Sequence, residues 1–305
     1  MMASILNHGF DFDTRDSMLD VRSPKTNIEH RISNIEKRKT NIEIMTQDYS
    51  TYTTDDFEVW KILFNRQIKQ LQPLASKAYF QGIKEVKFSA DKIPNYQEIN
   101  DLLTKLTGWQ INVVPGLIDN RPFFELMQNK KFCASTWLRK REQLDYLEEP
   151  DMFHDIFGHI PSLSNQSICH FLEELARIAL RFIDKPQAIE YIARLYWYTI
   201  EFGLIREDGE LKIYGAGIIS SFGESIYALQ SLEPQRIDYN IQQIFDTPYI
   251  KEHYQEQYFV IDSYQQLFNS IPAIEAELEK RMNSPKPRKL FTLNDSEINY
   301  QYANV

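Results

Sequence analysis

Residues 149–161 form the segment around which the rest of this chain is arranged. They read Glu149-Pro150-Asp151-Met152-Phe153-His154-Asp155-Ile156-Phe157-Gly158-His159-Ile160-Pro161. The whole sequence holds six histidines, and two of them, His154 and His159, lie here among carboxylates and large apolar side chains. Burying imidazole and carboxylate groups beside apolar neighbours costs free energy, which a bound metal ion offsets. The segment therefore predicts a metal site.

The spacing of the two histidines argues against the common zinc-protease motif. That motif places its histidines at i and i+4 on one helix face, with a glutamate between them. His154 and His159 are five residues apart, which is roughly 140° on an α-helix. Both can reach one ion only if the helix ends or distorts between them, and we expect Gly158 followed by Pro161 to cause that break.

A third ligand is predicted on a later helix. Apolar periodicity predicts a helix over residues 187–203, and Glu201 lies on its apolar stripe, four residues after Trp197. A carboxylate in that position requires a cation. Two histidines and one glutamate form the facial triad of non-haem Fe(II) enzymes, but zinc hydrolases and non-catalytic metal-stabilised proteins use the same residue types. A simpler alternative places the histidines at a helix end and turns Glu201 toward water or a basic partner.

The composition favours small-molecule chemistry in a single domain. The chain has 305 residues, of which 43% are hydrophobic, and this is ample for a core. A formal net charge of -9 and the lack of long Lys or Arg runs argue against nucleic-acid binding. No stretch of roughly 20 apolar residues predicts a membrane span. Cys133 and Cys169 lack CxxC spacing, so we expect two reduced thiols in a cytoplasmic protein.

The sequence divides into three segments. Residues 1–45 are polar and repeat a Thr/Ser-Asn-Ile-Glu pattern every seven residues. They predict a flexible leader, a short coiled coil, or a start site assigned too far upstream, with Met45 as the true start. Residues 46–283 carry the globular pattern and form the expected catalytic domain. Residues 284–305 are polar and predict an extended tail without an oligomerising helix.

Hydrophobic periodicity predicts a mainly helical α+β fold with a small β-hairpin. Helices are expected from Thr54 to a break at Pro73, over 74–82, from Pro94 to Gly108, over 166–183 and over 187–203. A strand is expected over 109–114, and the hairpin turns at Asp208-Gly209. Residues 215–224 predict a loop that runs into a helix.

Three separate motifs resemble those of the pterin-dependent aromatic amino acid hydroxylases. The motifs are Leu144-Asp145-Tyr146-Leu147-Glu148-Glu149-Pro150-Asp151-Met152-Phe153-His154-Asp155-Ile156-Phe157-Gly158-His159-Ile160-Pro161, Tyr196-Trp197-Tyr198-Thr199-Ile200-Glu201-Phe202-Gly203 and Tyr214-Gly215-Ala216-Gly217-Ile218-Ile219-Ser220-Ser221-Phe222-Gly223-Glu224. They occur in the family's order and approximate spacing. The resemblance covers roughly residues 50–265 and is greatest to the bacterial phenylalanine 4-hydroxylases. It implies the fold of that family's catalytic domain.

The resemblance implies that His154, His159 and Glu201 are iron ligands. It places Arg139 at the substrate carboxylate, which a planar guanidinium can contact in bidentate fashion. Ser220 corresponds to a hydroxyl that hydrogen-bonds an iron-bound histidine and fixes its orientation. The ring pocket would be lined by Tyr146, Pro150 and Trp197. The plain alternatives are that Arg139 is a surface base and Trp197 a core aromatic.

The resemblance also implies a pterin site. Phe123 corresponds to the aromatic on which the pterin stacks, although a core aromatic is the plain alternative. The backbone of Gly116, Leu117 and Ile118 corresponds to the hydrogen-bonding strip for the pterin. Asp155 stands where animal members carry the longer glutamate, so a water-mediated link from it to pterin or iron is expected to differ.

As an activity, the resemblance implies conversion of L-phenylalanine to L-tyrosine with Fe(II), O2 and tetrahydrobiopterin or another tetrahydropterin. Tryptophan or tyrosine as substrate is the nearest alternative, because the shape of the ring pocket decides that choice. Leu147-Glu148 replaces a Thr-Pro pair of the animal enzymes, so the hydroxyl that helps to hold the substrate carboxylate there is absent or replaced. A monomer or a weak dimer is the expected assembly.

Overall fold

A computed structural model describes residues 45–145, 149–251 and 253–283. Apart from Met45, the predicted leader 1–45 and tail 284–305 lie outside the described residues. The α-helices are α1 (Thr54–Leu71), α2 (Lys77–Glu85), α3 (Tyr96–Leu106), α4 (Asn120–Gln128), α5 (Gln166–Arg181), α6 (Pro186–Tyr196), α7 (Ala216–Ser220), α8 (Phe222–Gln230), α9 (Ile241–Asp246), α10 (Tyr264–Asn269) and α11 (Ile271–Asn283). The strands are β1 (Gln110–Val113), β2 (Lys131–Ala134), β3 (Leu204–Glu207), β4 (Glu210–Ile213), β5 (Gln235–Asp238) and β6 (Gln257–Ile261). Two π-helices also occur, Phe153–His159 and Trp197–Glu201.

The first helices begin and end at local capping residues. Thr53 and Asp56 form a reciprocal capping box at the start of α1, which ends before Pro73 as predicted. Ser76 caps α2, which therefore starts later than the predicted range 74–82. Capping thus decides boundaries that apolar periodicity leaves open.

Two small sheets complete the fold, and the larger was only partly predicted. β1 and β2 pair in parallel. The predicted hairpin is present, because β3 and β4 pair antiparallel around Asp208-Gly209, where both residues have positive φ. β6 also pairs in parallel with β3, and β5 with β6, so the strand order is β4-β3-β6-β5. The mainly helical α+β class is confirmed, but the hairpin is half of a four-stranded sheet.

The region 215–224 is more helical than predicted. Residues of the expected loop form α7, and α8 follows directly. Gly217 permits this arrangement, since a Cβ there would lie 2.9 Å from the Phe202 ring and 3.1 Å from the Glu201 carbonyl oxygen. The glycine that suggested a loop instead allows α7 to approach the segment that carries Glu201.

Aromatic rings join the histidine segment to α1. Phe153 and Phe157 stack with their ring centroids 4.6 Å apart, and Trp60 and Phe64 of α1 contact them, each at 5.6 Å. All four rings are buried. The segment 149–161 therefore lies in the core, and α1 holds one side of it in place.

Two further observations concern the cysteines and the helices of the described residues. Cys133 and Cys169 are both buried and free, as expected of reduced thiols. Among the described residues, no helix combines the length and the apolar character that a membrane span requires.

Candidate active site

A π-helix explains the five-residue spacing of the two histidines. Residues Phe153–His159 are π-helical, a form that is frequent at functional sites and turns by roughly 80° per residue. Residues five apart then differ by only roughly 40°, so His154 and His159 project to the same side. The sequence predicted a distortion between them, but the distortion is a widened turn along the whole segment and not a break at Gly158 and Pro161.

Glu201 lies at the end of the second π-helix. The helix predicted over 187–203 consists of α6 followed directly by the π-helix Trp197–Glu201. The backbone N–H of Phe202 donates to the Trp197 carbonyl at 2.8 Å, which closes the wide turn. All three predicted metal ligands are thus carried by π-helical backbone.

The donor atoms of the three residues converge on one point. His159 Nε2 lies 3.2 Å from His154 Nε2 and 3.2 Å from Glu201 Oε1, and His154 Nε2 lies 3.6 Å from Glu201 Oε2. Ligands about 2.1 Å from one ion lie about 3.0 Å apart at octahedral angles and about 3.4 Å apart at tetrahedral angles. These residues therefore fit one transition-metal ion, and the spacing does not choose between iron and zinc. Within ranges 45–145, 149–251 and 253–283, no other such group of three is found.

Ser220 sets the tautomer of His154. The Ser220 hydroxyl donates to the Ala216 carbonyl at 2.9 Å, and Ser220 Oγ lies 2.9 Å from His154 Nδ1. Because its own proton is used on Ala216, Ser220 accepts a hydrogen bond from Nδ1–H. The Nε2 lone pair of His154 then faces His159 and Glu201, as a metal ligand requires.

Burial and neighbouring charges place both residue types in their ligating forms. Burial lowers the pKa of His154 to about 3, so its imidazole is neutral near pH 7. Burial alone would raise the pKa of Glu201, but His159 and His154 beside it bring that pKa down to about 2. A neutral imidazole beside a charged carboxylate is the state that binds a divalent cation.

Arg139 is a buried residue beside the metal centre and not a surface base. Its Nε and Nη2 donate to the two carboxylate oxygens of Asp151 at 2.9 Å each, and its backbone N–H donates to Asp151 Oδ2 at 2.9 Å. Asp151, fully buried, also accepts from the backbone N–H of His154 at 3.1 Å. Asp151 therefore joins the guanidinium to a predicted ligand. Among the described residues, no hydrogen bond uses Nη1 of Arg139.

Asp155 carries an unsatisfied carboxylate oxygen. Its Oδ2 accepts from the Ser135 backbone N–H at 2.8 Å and from the Ser135 hydroxyl at 2.9 Å. Its Oδ1 is buried and has no hydrogen-bond partner in the described part of the chain. Burial raises the pKa of Asp155 to about 6. An orphaned acceptor one residue after His154 fits the water-mediated role that the resemblance implies.

The residues of the predicted pterin site differ in accessibility. Gly116, Leu117 and Ile118 are partly exposed, and no hydrogen bond among the described residues engages their backbone N–H or C=O groups. The strip can therefore bind a ligand through main-chain atoms. Phe123, at 2% exposed, packs edge-on against Phe124 with centroids 5.3 Å apart. As placed, its ring is a core aromatic beside the strip, and its stacking role stays a prediction.

The residues predicted to line the ring pocket are only partly described. Trp197 is half-buried, and its indole contacts the rings of Phe202 at 4.5 Å and Tyr249 at 5.0 Å. Pro150 is half-buried at the start of the histidine segment. Tyr146 lies outside the described residues.

Sequence reasoning missed two buried glutamines near these residues. Gln67 of α1 donates to the Ile219 carbonyl at 2.6 Å and to the Ser221 carbonyl at 3.2 Å, so it bonds the backbone on both sides of Ser220. Gln255 accepts a hydrogen bond from the Trp197 indole at 2.9 Å. Glutamine has no local signature in a sequence, because its partners lie far away along the chain.

The fold and the site together define a class of protein. A mainly helical domain presents two histidines and one glutamate from one side, which leaves the other side of a bound ion open for reactants. This arrangement is that of a mononuclear facial-triad metalloenzyme.

Comparison with known proteins identifies the family within this class. The chain belongs to the biopterin-dependent aromatic amino acid hydroxylases, whose family model matches residues 17–285. The match begins inside the predicted leader. The phenylalanine-4-hydroxylase of Ralstonia nicotianae is 44% identical over 226 residues, which cover 74% of this chain and 72% of that protein.

Solved structures agree with this family. The iron- and phenylalanine-bound crystal structure of phenylalanine hydroxylase from Chromobacterium violaceum matches with a TM-score of 0.75 and 38% identity, covering 81% of this chain and 90% of that chain. The structure of the same protein with bound iron(III) and oxidised cofactor 7,8-dihydrobiopterin also has a TM-score of 0.75 and 38% identity, with coverages of 87% and 93%.

Proposed function

We propose that this protein is a phenylalanine 4-monooxygenase, which converts L-phenylalanine to L-tyrosine with O2 and a tetrahydropterin at an Fe(II) held by His154, His159 and Glu201. The observation that carries the proposal is the convergence of these three side chains, with Ser220 orienting His154, in a member of the biopterin-dependent family. Donor spacing alone leaves zinc open, and the family favours iron.

The chain's own residues bind and orient the reactants. When bound, Fe(II) and the reduced pterin supply the oxygen activation that no side chain can perform. Arg139, held by Asp151, presents a guanidinium to the substrate carboxylate. The strip of Gly116, Leu117 and Ile118 offers main-chain groups to the pterin, with Phe123 beside it, and Asp155 offers its free Oδ1 to a bridging water.

The comparison with relatives supports phenylalanine, and not tryptophan or tyrosine, as the substrate of this protein. The relative that is 44% identical is named phenylalanine-4-hydroxylase, and the Chromobacterium structure contains phenylalanine. Trp197, with Pro150 and Tyr146, lines the ring pocket in this proposal.

The proposal extends to organisation and location. Residues 46–283 form the catalytic domain, which is supported by the continuous hydrophobic core of its described part. The protein works as a monomer or weak dimer in the cytoplasm, where its two buried thiols stay reduced.

Product analysis tests the proposal. Apo-protein is loaded anaerobically with Fe(II), then mixed with a tetrahydropterin, O2 and each of the three aromatic amino acids. We expect tyrosine from phenylalanine as the main product, and none with Zn(II) in place of Fe(II). If the iron-loaded protein forms no hydroxylated amino acid, the proposal is contradicted. A larger yield from tryptophan or tyrosine would identify that amino acid as the substrate in place of phenylalanine.

A further inference from the structure

Trp197 and Glu201 share one face of the second π-helix. The two residues are four apart, and at roughly 80° per residue they differ by only roughly 40° around the axis. The side chain of Trp197 therefore leaves the helix on roughly the same side as that of Glu201. Trp197 is half-buried and Glu201 is buried, and in the proposed function the indole forms part of the ring pocket. The orientation of the indole would then set the shape of that pocket.

Gln255 fixes the indole through its side-chain amide. Gln255 is 3% exposed, its Oε1 accepts from Trp197 Nε1–H at 2.9 Å, and its Nε2 donates to the Ile250 carbonyl at 2.7 Å. The indole nitrogen can only donate and the carbonyl can only accept. Only one orientation of the amide satisfies both partners, so the two hydrogen bonds fix the side chain between Trp197 and Ile250.

The backbone of Gln255 is anchored separately. Its N–H donates to Glu224 Oε1 at 3.1 Å, and the Tyr258 hydroxyl donates to the same oxygen at 2.8 Å. Glu224 is buried in α8, which follows Ser220 closely along the chain. One set of hydrogen bonds thus holds the backbone of Gln255, and its side-chain amide contacts Trp197 through another.

We propose that Gln255 is a positioning residue that determines ring specificity. By accepting from the only polar hydrogen of the indole, Gln255 holds Trp197 in one rotamer and keeps its N–H away from the substrate. The pocket then offers an apolar wall of fixed shape, which suits an unsubstituted phenyl ring. This inference rests on the proposed function, in which Trp197 lines the pocket for the substrate ring.

The test uses the iron-loaded full chain with a tetrahydropterin. The readouts are kcat/KM for phenylalanine and for tryptophan, and the amount of tyrosine formed per pterin oxidised. Gln255→Met is nearly isosteric but lacks the amide, and we expect it to lower the phenylalanine-to-tryptophan ratio of kcat/KM by about 3–10-fold. We also expect less tyrosine per pterin oxidised. Gln255→Glu, whose protonated carboxyl can both accept from the indole and donate to the Ile250 carbonyl, should hold the ratio within about twofold of the wild type when assayed at a pH at which that buried carboxyl is protonated.

Two further variants separate positioning from general stability. Tyr258→Phe removes a bond to Glu224 but leaves the Gln255 amide intact, so it should lower the melting temperature without moving the ratio. In the Trp197→Phe background no indole N–H remains, so adding Gln255→Met should produce no further change. If Gln255→Met does not fold, Gln255→Asn replaces it, because its shorter side chain cannot reach the indole.

The outcomes are decisive in both directions. An unchanged ratio in folded Gln255→Met, an equal shift in Tyr258→Phe, or an additive effect in the Trp197→Phe background would overturn the inference. Lack of tyrosine formation by the wild type would instead remove the proposed function, so the two failures are distinguishable.

Discussion

The metal centre (His154, His159 and Glu201) and the pterin strip (residues 116–118) are built in different ways. In the metal centre the functional atoms belong to buried side chains, and Ser220 already orients His154 at 2.9 Å. In the proposed pterin strip the functional atoms would belong to the backbone, and the described chain provides no hydrogen-bond partner for them. The metal centre is therefore preorganised, whereas the proposed pterin strip would be completed by its ligand.

Because of this difference, the two regions should tolerate substitutions to different degrees. A metal centre requires particular side chains, since only imidazole and carboxylate groups supply its donors. A strip that binds through main-chain groups can tolerate many different side chains, provided that its backbone stays exposed. Substitutions should therefore have large effects at the metal centre and smaller effects near the pterin strip.

The largest effect is expected from loss of a metal ligand. His154→Ala or Glu201→Ala should abolish both iron binding and tyrosine formation, because two remaining donors hold the ion poorly. Iron content by atomic absorption and tyrosine by chromatography measure the two effects. The control is His170→Ala, which changes an exposed histidine of α5 and should keep both. Stoichiometric iron and activity in either ligand variant would exclude the triad.

Arg139 should give the next largest effect. Arg139→Lys keeps the charge but loses the planar fork, and we expect KM for phenylalanine to rise about 10–100-fold while KM for the pterin is unchanged. Arg139→Ala should raise KM as well, but it leaves Asp151 buried without its cation and should cost about 3–5 kcal/mol of unfolding free energy. Steady-state kinetics and chemical denaturation measure these effects. An unchanged KM for phenylalanine in both variants would remove Arg139 from the substrate site.

Ser220 tests whether the metal centre is preorganised. Ser220→Ala removes the acceptor for His154 Nδ1–H and should weaken Fe(II) binding about 10–100-fold. Ser221 provides the matched control, since its hydroxyl caps α8 at the Glu224 backbone N–H and, among the described residues, makes no hydrogen bond to His154. Ser221→Ala should lower stability by about 1 kcal/mol with iron affinity unchanged. Equal iron affinities in the two variants would mean that Ser220 does not orient the ligand.

Phe123 should give the smallest effect, near the pterin strip. If the pterin stacks on this ring, Phe123→Leu raises KM for the pterin about 3–10-fold and leaves KM for phenylalanine unchanged. Phe124→Leu is the control, because Phe124 is equally buried beside it and should lose only stability. A lower melting temperature with no change in pterin KM for Phe123→Leu would make Phe123 a core aromatic.

The sequence predicted the metal centre better than its surroundings. His154 and His159 lie in one short segment, and the helical phase around Trp197 pointed to Glu201, so local pattern named the three candidate ligands while the family resemblance favoured iron. The π-helical form itself was not predicted, since it depends on packing that places Phe153 and Phe157 against α1. The spacing showed only that an ordinary α-helix would fail.

The missed features depend on contacts that are distant along the chain. β6 reads as an apolar run, and its parallel pairing with β3 joins Leu204 to Val260. Arg139 and Asp151 form a buried ion pair, but the sequence alone does not show that these two charged residues are partners. Gln255 reaches Trp197 across 58 positions. In each case the role of the residue depends on a partner that only the folded structure brings into contact with it.

The position of a bound metal ion tests the central claim most directly. In crystals grown with Fe(II) under anaerobic conditions, anomalous scattering at the iron edge locates the ion. We predict one iron about 2.1 Å from Nε2 of His154, Nε2 of His159 and a carboxylate oxygen of Glu201, with His154 Nδ1 still bonded to Ser220. An iron bound elsewhere, or one that lacks any of these three ligands, would contradict the account.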